Sequence, residues 1–362
     1  MRVDDEGFCM ILPDYVTKII KALESARYEA YVVGGCVRDL LLGLTPDDYD
    51  ITTSATPDEV KAVFEYTHDT GLKHGTITVI SDDTPVEVTT FRIDGEYSDN
   101  RRPDSVTFTR SLREDLSRRD FTINAMAGQL TIDNGQLTII DPFGGQNDLE
   151  NRIIRAVGDP HKRFNEDGLR ILRALRFAVV YRFEIEPRTM AAIDELRGLI
   201  HNIAGERIAV ELNKSAVGFY GLDKVASLAL FFDDYIRARR LMRRLKYDND
   251  TFHKVSTVLK YRHLVIKPCK RAVKRVLNRF GEEMFFRLAD WRVESIAREV
   301  IDSGECWSLA QLAVKGGDLV ELGFKGERIG MVLRHLLQMV ICERVVNEKG
   351  ELLNYVKHGH RN

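Results

Sequence analysis

Strand-like alternation of apolar residues is confined to the N-terminal part of this chain, and after the turn Asp141-Pro-Phe-Gly-Gly145 it nearly vanishes. From about residue 161 onward apolar residues recur at helical spacing, and no repeat of fixed period is found. A chain of 362 residues divided in this way predicts an α/β head followed by an all-helical remainder, each large enough for a core of its own.

Within the head, Val16, Ile19, Ile20 and Leu23 fall at i, i+3, i+4 and i+7, which predicts an amphipathic helix over 13–27. Glu29 to Val33 reads as a strand ended by Gly34-Gly35, and Val37 to Leu42 as a helix stopped by Gly43. Tyr49 to Thr53 is a second strand. Thr56-Pro-Asp-Glu59 is a capping box with proline at the first helical position, so 57–66 is expected to be helical. Further strands are expected at Thr76–Ser81 and Val86–Phe91, then a charged loop from Ile93 to Asp104.

Charge is unevenly spread. The net charge of -2 hides a stretch from Ile236 to Lys246 with six Arg or Lys and no acid, and another from Arg262 to Arg279 with seven. A basic rear suits a polyanion partner. Five scattered cysteines without a C-x-x-C pair argue against a disulfide framework or zinc site and for a reducing cytosol. No apolar run of membrane-spanning length and no signal-peptide pattern occur, so a cytoplasmic protein is expected.

Residues two apart on a strand share a face, so Asp48 and Asp50 are expected to project together while Tyr49 points away. Paired carboxylates repel unless a cation lies between them, which makes them candidate magnesium ligands. Gly34 and Gly35 permit close backbone approach, and the helix after them would aim free N–H groups at an anion, with Arg38 one turn inside. Together these features suit a triphosphate and its metal. Glu87, between Val86 and Val88, either faces water or adds a third carboxylate to that site.

Taken together, Gly34-Gly-Cys-Val-Arg-Asp-Leu-Leu-Leu-Gly43 and Asp48-Tyr-Asp-Ile resemble the catalytic motif of the polymerase β-like nucleotidyltransferases. The likeness narrows to class II tRNA nucleotidyltransferases, the CCA-adding enzymes, and to bacterial poly(A) polymerases. It continues through Val86-Glu-Val-Thr-Thr-Phe-Arg92, Arg118-Arg-Asp-Phe-Thr-Ile-Asn-Ala-Met-Ala127, Glu166-Asp-Gly-Leu-Arg170 and Glu206-Arg-Ile-Ala-Val-Glu211. The resemblance implies an α+β fold: a nucleotidyltransferase head (1–150) with a small mixed sheet, then an all-helical neck (151–215), body (216–275) and tail (276–362). It also implies two Mg2+ ions, CTP and ATP as substrates and tRNA as partner, with no membrane and no protein partner.

The same resemblance assigns roles. Asp48 and Asp50 would hold the metals, with Glu87 in support. Asp167 and Arg170, at i and i+3 on an expected helix, would share one face and read the base. An ionised Asp only accepts hydrogen bonds and an Arg only donates them. That polarity suits the amino donor and ring-nitrogen acceptor shared by cytosine and adenine and opposes uracil and guanine. Asp120 and Asn124 would meet the ribose, and Glu166, Arg119, Arg173 and Arg176 would serve the nucleotide or pair with acids. Arg101 and Asp104 match the loop that switches such enzymes from C to A. An A-adding specialist, a poly(A) polymerase and a non-catalytic tRNA chaperone are the alternatives; the intact Asp48, Asp50, Asp167 and Arg170 argue against the last.

Overall fold

The computed structural model describes residues 12–95, 105–131, 137–216 and 223–359. It divides into two compact units, Met1–Gly221 and Leu222–Asn362.

The first unit opens with helix α1 (Asp14–Ser25), whose Val16, Ile19, Ile20 and Leu23 are all buried. It then runs through β1 (Ala30–Val33), α2 (Gly35–Leu41), β2 (Asp50–Thr53), α3 (Pro57–Val63), β3 (Thr67–Gly71), β4 (Thr76–Ser81) and β5 (Thr84–Thr90). The capping box at Thr56 forms as expected: Glu59 N–H donates to the Thr56 hydroxyl, and Thr56 N–H donates to Glu59 at 2.7 Å. After β6 (Arg92–Asp94) and β7 (Val106–Phe108) come α4 (Leu112–Ser117), β8 (Ala127–Leu130), β9 (Leu137–Ile140) and α5 (Gly145–Glu150).

Seven strands form one mixed sheet in the order β3-β4-β5-β2-β1-β8-β9, in which β2 and β5 are parallel and the other pairings antiparallel. Alternation divides the sheet into two faces. Val32, Ile51, Val86 and Val88 pack with the apolar stripe of α1 in the main core. Tyr31 and Val33 instead join Phe91, Leu116 of α4 and Ala127 in a second cluster. Asp50 stands opposite Glu87 in the parallel register, so the two carboxylates emerge side by side on the face away from the main core.

The helical remainder of this unit consists of α6 (Pro160–Glu166), α7 (Leu169–Tyr181), α8 (Pro187–Leu196) and α9 (Gly205–Ala216). Two short strands, β10 (Ile153–Ile154) and β11 (Glu184–Ile185), clip the chain before α6 to the chain after α7. Phe164, Ile171, Ala174 and Phe177 extend the head's main core without a break, so the head and the helices after it share one hydrophobic interior.

The second unit is helical: α10 (Lys224–Leu230), α11 (Tyr235–Arg244), α12 (Asn249–Tyr261), α13 (Lys270–Leu288), α14 (Trp291–Asp302), α15 (Gly316–Glu321), α16 (Glu327–Ile341) and α17 (Lys349–Gly359). Asp223, Asp234, Asp248 and Asp290 each accept N–H bonds at the start of one of its helices, the role for which a short carboxylate is best suited. Among the described residues, no helix is long and apolar enough to cross a membrane.

The basic stretches prove unlike each other. On α11, Arg239 stacks over Tyr235 and Phe252 and Arg243 over Phe252. On α13, by contrast, Lys270 pairs with Glu299 and Glu305, and the buried Lys274 pairs with Glu305. Part of the second stretch therefore neutralises acids of its own unit, which a count of charge along the sequence does not reveal.

Candidate active site

The carboxylate pair is built at the start of β2, not along it. Asp50 is its first residue and Asp48 lies two residues before it, outside the strand. Tyr49 does turn away, meeting Tyr15 of α1 edge to face at 6.3 Å between centroids. The carboxylates are nonetheless close enough to interact. Burial pushes the Asp50 carboxyl up to about 6, the charges of Asp48 and Glu87 push in the same direction, and Arg119 opposes them. A proton or a cation relieves such a cluster. Asp48 and Glu87 are exposed, while Val86 and Val88, which flank Glu87, are buried.

Gly34 follows β1 with φ of +83°, a conformation open to glycine. Its missing side chain has a second consequence: a Cβ there would lie 2.9 Å from Nη1 of Arg119. The glycine thus lets Arg119 lie against the strand end beside Asp50. The Arg119 Nε is buried without a hydrogen-bond partner, and its Nη2 is 3.5 Å from Asp115. Gly35 begins α2.

Arg38 turns inward from α2. It is 7% exposed, pairs with Asp39 at 2.8 Å, donates to Asn124 Oδ1 at 2.6 Å and stacks over Tyr181 and Phe177. Asn124 in turn donates to Asp120 at 3.0 Å, and Arg173 grips the other oxygen of Asp120 through Nε and Nη2, both at 2.7 Å. With the Phe121 N–H at 2.9 Å, four donors take the roughly four lone-pair directions of that carboxylate. Burial alone would raise the Asp120 pKa, but Arg173, the Asn124 bond and Arg170 hold it down to about 2. The network runs on through Glu211, which accepts from Arg176 at 2.6 Å and lies 3.8 Å from Arg173. A ribose hydroxyl reaching Asp120 would have to displace one of these donors, so the structure shows Asp120 tying head to helix α7.

Asp167 and Arg170 do not lie on one helix. Asp167 ends α6 in an extended conformation, Gly168 separates the two helices and Arg170 belongs to the first turn of α7. Nor do the two side chains pair with each other. Asp167 accepts from Arg207 of α9 through two bonds, 2.8 and 3.2 Å, and from the Leu169 N–H at 3.0 Å. Arg170 donates to Glu166 at 2.6 Å and to the carbonyls of Arg163 and Arg118 at 3.2 and 3.0 Å. Glu166 also accepts from Arg163 at 2.5 Å, so it sits between two guanidiniums.

Arg101 and Asp104 lie outside the described residues. Sequence reading missed Arg207, Glu211 and Asp115 as individual site residues. The Glu206-Arg-Ile-Ala-Val-Glu211 motif contains two of them, and four-residue spacing on α9 was the signal available.

Comparisons with known proteins bear on this geometry. Residues 30–155 match the family described as the poly A polymerase head domain, 182–215 the probable RNA and SrmB- binding site of polymerase A, and 224–356 a putative tRNA nucleotidyltransferase domain 2. The CCA-adding enzyme of Lacticaseibacillus paracasei is 49% identical over 64% of this chain, an alignment in which the chain spans only about half (56%) of the relative. That of Pediococcus pentosaceus is 37% identical over 93% of this chain and 96% of the relative. Among solved structures, the Bacillus stearothermophilus CCA-adding enzyme in complex with CTP superposes with a TM-score of 0.78 at 32% identity, covering 96% of this chain and 97% of the other. The Thermotoga maritima enzyme complexed with tRNA is alike in fold, with a TM-score of 0.65 at 22% identity over 95% of this chain and 94% of the other. With a carboxylate cluster beside a glycine turn and near full-length likeness at this identity, the chain belongs to the CCA-adding family of tRNA nucleotidyltransferases.

Proposed function

We propose that this chain adds C, C and A in turn to the 3′ end of tRNA, using CTP and ATP and releasing pyrophosphate. One observation carries the reading: consecutive residues bridge two chemically distinct ends of one site. Arg119 lies against the Gly34 turn and acts on Asp50, while the Arg118 carbonyl seats Arg170 beside Asp167. The first end suits a triphosphate and the second suits a base that offers a donor and an acceptor in the order of C or A.

The donor set fits a hard divalent cation. Asp48 and Asp50 would hold Mg2+, with Glu87 in support, and the remaining positions would fall to water and substrate phosphates, as this ion prefers. When bound, the metal would acidify the RNA 3′-hydroxyl and neutralise charge on the triphosphate. Arg119 adds positive charge to the phosphate end, and the Gly34 backbone allows the phosphates to approach. Asp167 accepts from the exocyclic amino group and Arg170 donates to the ring nitrogen. We assign head, neck, body and tail to 1–150, 151–215, 216–275 and 276–362, the body gripping tRNA through the arginines of α11 and the tail binding tRNA as well, in a cytoplasmic protein.

Transcripts ending at the discriminator base, at C and at CC, each offered CTP, ATP or both with Mg2+, test this reading. Three added residues ending in A are expected on the first. A single A placed only on the CC transcript would make the chain an A-adding specialist, a long A ladder a poly(A) polymerase, and binding without extension a tRNA chaperone.

A further inference from the structure

Asp115 lies on α4, is fully buried and belongs to none of the nucleotide contacts assigned above. Four different groups converge on it. Arg118 donates to Oδ1 through Nε and Nη2 at 3.0 and 2.8 Å, and the Arg92 backbone N–H reaches the same oxygen at 3.3 Å. On the other oxygen, Arg119 Nη2 lies at 3.5 Å and the Thr52 hydroxyl at 3.2 Å, the latter also 3.2 Å from the Thr89 carbonyl. Burial alone would raise the Asp115 pKa, yet the two guanidiniums hold it below the usual carboxylate value, so it is a buried anion.

Those partners are placed to matter. Thr52 is two residues beyond Asp50 on β2, and Arg92 opens β6. Arg119 lies against Gly34, the residue after Val33, which is the register partner of Asp50. Arg118 offers its carbonyl to Arg170, and the carbonyl of Ser117 accepts from Arg163, which also holds Glu166. One carboxylate therefore stands behind the phosphate end and the base end alike.

We propose that Asp115 is a positioning residue for nucleotidyl transfer, whose carboxylate sets Arg119 at the strand end beside Asp50 and Arg118 beneath Arg170. It touches no substrate and acts through these two arginines. Removing its charge leaves Arg118 and Arg119 without their shared anion, free to repel each other and to turn toward other acids. The proposal rests on the transfer site assigned above.

The test uses the full chain with Asp115→Asn, which keeps shape and one acceptor oxygen. On a transcript ending in CC, kcat for A addition is expected to fall about tenfold or more, and preference for ATP over UTP several-fold, as loss of charged hydrogen bonds predicts. tRNA affinity should stay unchanged. In an Arg119→Met background the kcat loss from Asp115→Asn should largely disappear, which a merely structural role would not produce. Should Asp115→Asn unfold, Arg118→Met supplies the readout: a folded chain with reduced preference for ATP supports the proposal, and wild-type preference overturns it. A folded Asp115→Asn chain with wild-type kcat and selectivity also overturns it, provided Arg119→Met and Asp167→Ala are impaired. If those two variants match wild type as well, the transfer-site reading itself fails.

Discussion

Arg207 holds Asp167 through two nearly parallel hydrogen bonds, from a helix forty residues farther along the chain. Such a fork fixes both the position and the plane of the carboxylate. It leaves Asp167 oriented by Arg207 and Arg170 oriented by Glu166, so each half of the proposed base-reading pair has its own counter-ion.

Base choice should therefore depend on Arg207. Replacing it with Gln should reduce discrimination against UTP by roughly tenfold, the scale of one bidentate contact. Arg207→Lys keeps the charge but not the fork and should fall between. The ratio of kcat/KM for ATP to that for UTP on a CC-ended transcript checks this, and unchanged ratios would show that Asp167 needs no partner.

Asp120 should contribute a pH-dependent share of stability. Its folded pKa of about 2 lies below the usual carboxylate value of 3.8, so its contribution is present above about pH 4 and lost as pH falls toward 2. Asp120→Asn should lower stability at pH 7 by roughly 2–4 kcal/mol, because Arg173 is left facing a neutral amide. Urea unfolding of both chains at pH 7 and pH 3 should show the gap narrowing at the lower pH.

Gly34→Ala should be harmful on two counts, a positive φ and a Cβ 2.9 Å from Arg119. A destabilisation of about 1–3 kcal/mol is expected, together with reduced transfer as Arg119 is displaced. Gly198→Ala, where a Cβ would meet nothing within 4 Å, is the control in a thermal melt.

Arg38→Met should loosen the junction between the head and helix α7. It removes the partner of Asp39 and Asn124 and the cation over Tyr181, at a cost of about 3 kcal/mol or more for a buried pair. Equal melting temperatures for variant and wild type would show that Arg38 adds nothing to that junction.

What the sequence revealed was local. The capping box at Thr56 and Glu59, the stripe of α1 and the buried Val86 and Val88 around an exposed Glu87 all follow from short spacing. Strand β8 did not stand out, because Ala127-Gly-Gln-Leu130 has little β propensity and Gly128 packs beneath Leu137. The site was legible as residue types but not as partners. Asp167 reads as helical by spacing, yet its own extended backbone ends α6, and Gly168 after it already has helical dihedrals as the cap of α7. Arg207 with Asp167, and Asp115 with Thr52, are joined across elements, where no count along one helix or strand can find them.

The most direct measurement sets the wild-type chain beside Asp50→Asn on a transcript ending in CC, with ATP and Mg2+. The account predicts one added A by wild type and none by the variant, with tRNA affinity retained. Undiminished addition by Asp50→Asn, or no addition by wild type, would contradict it.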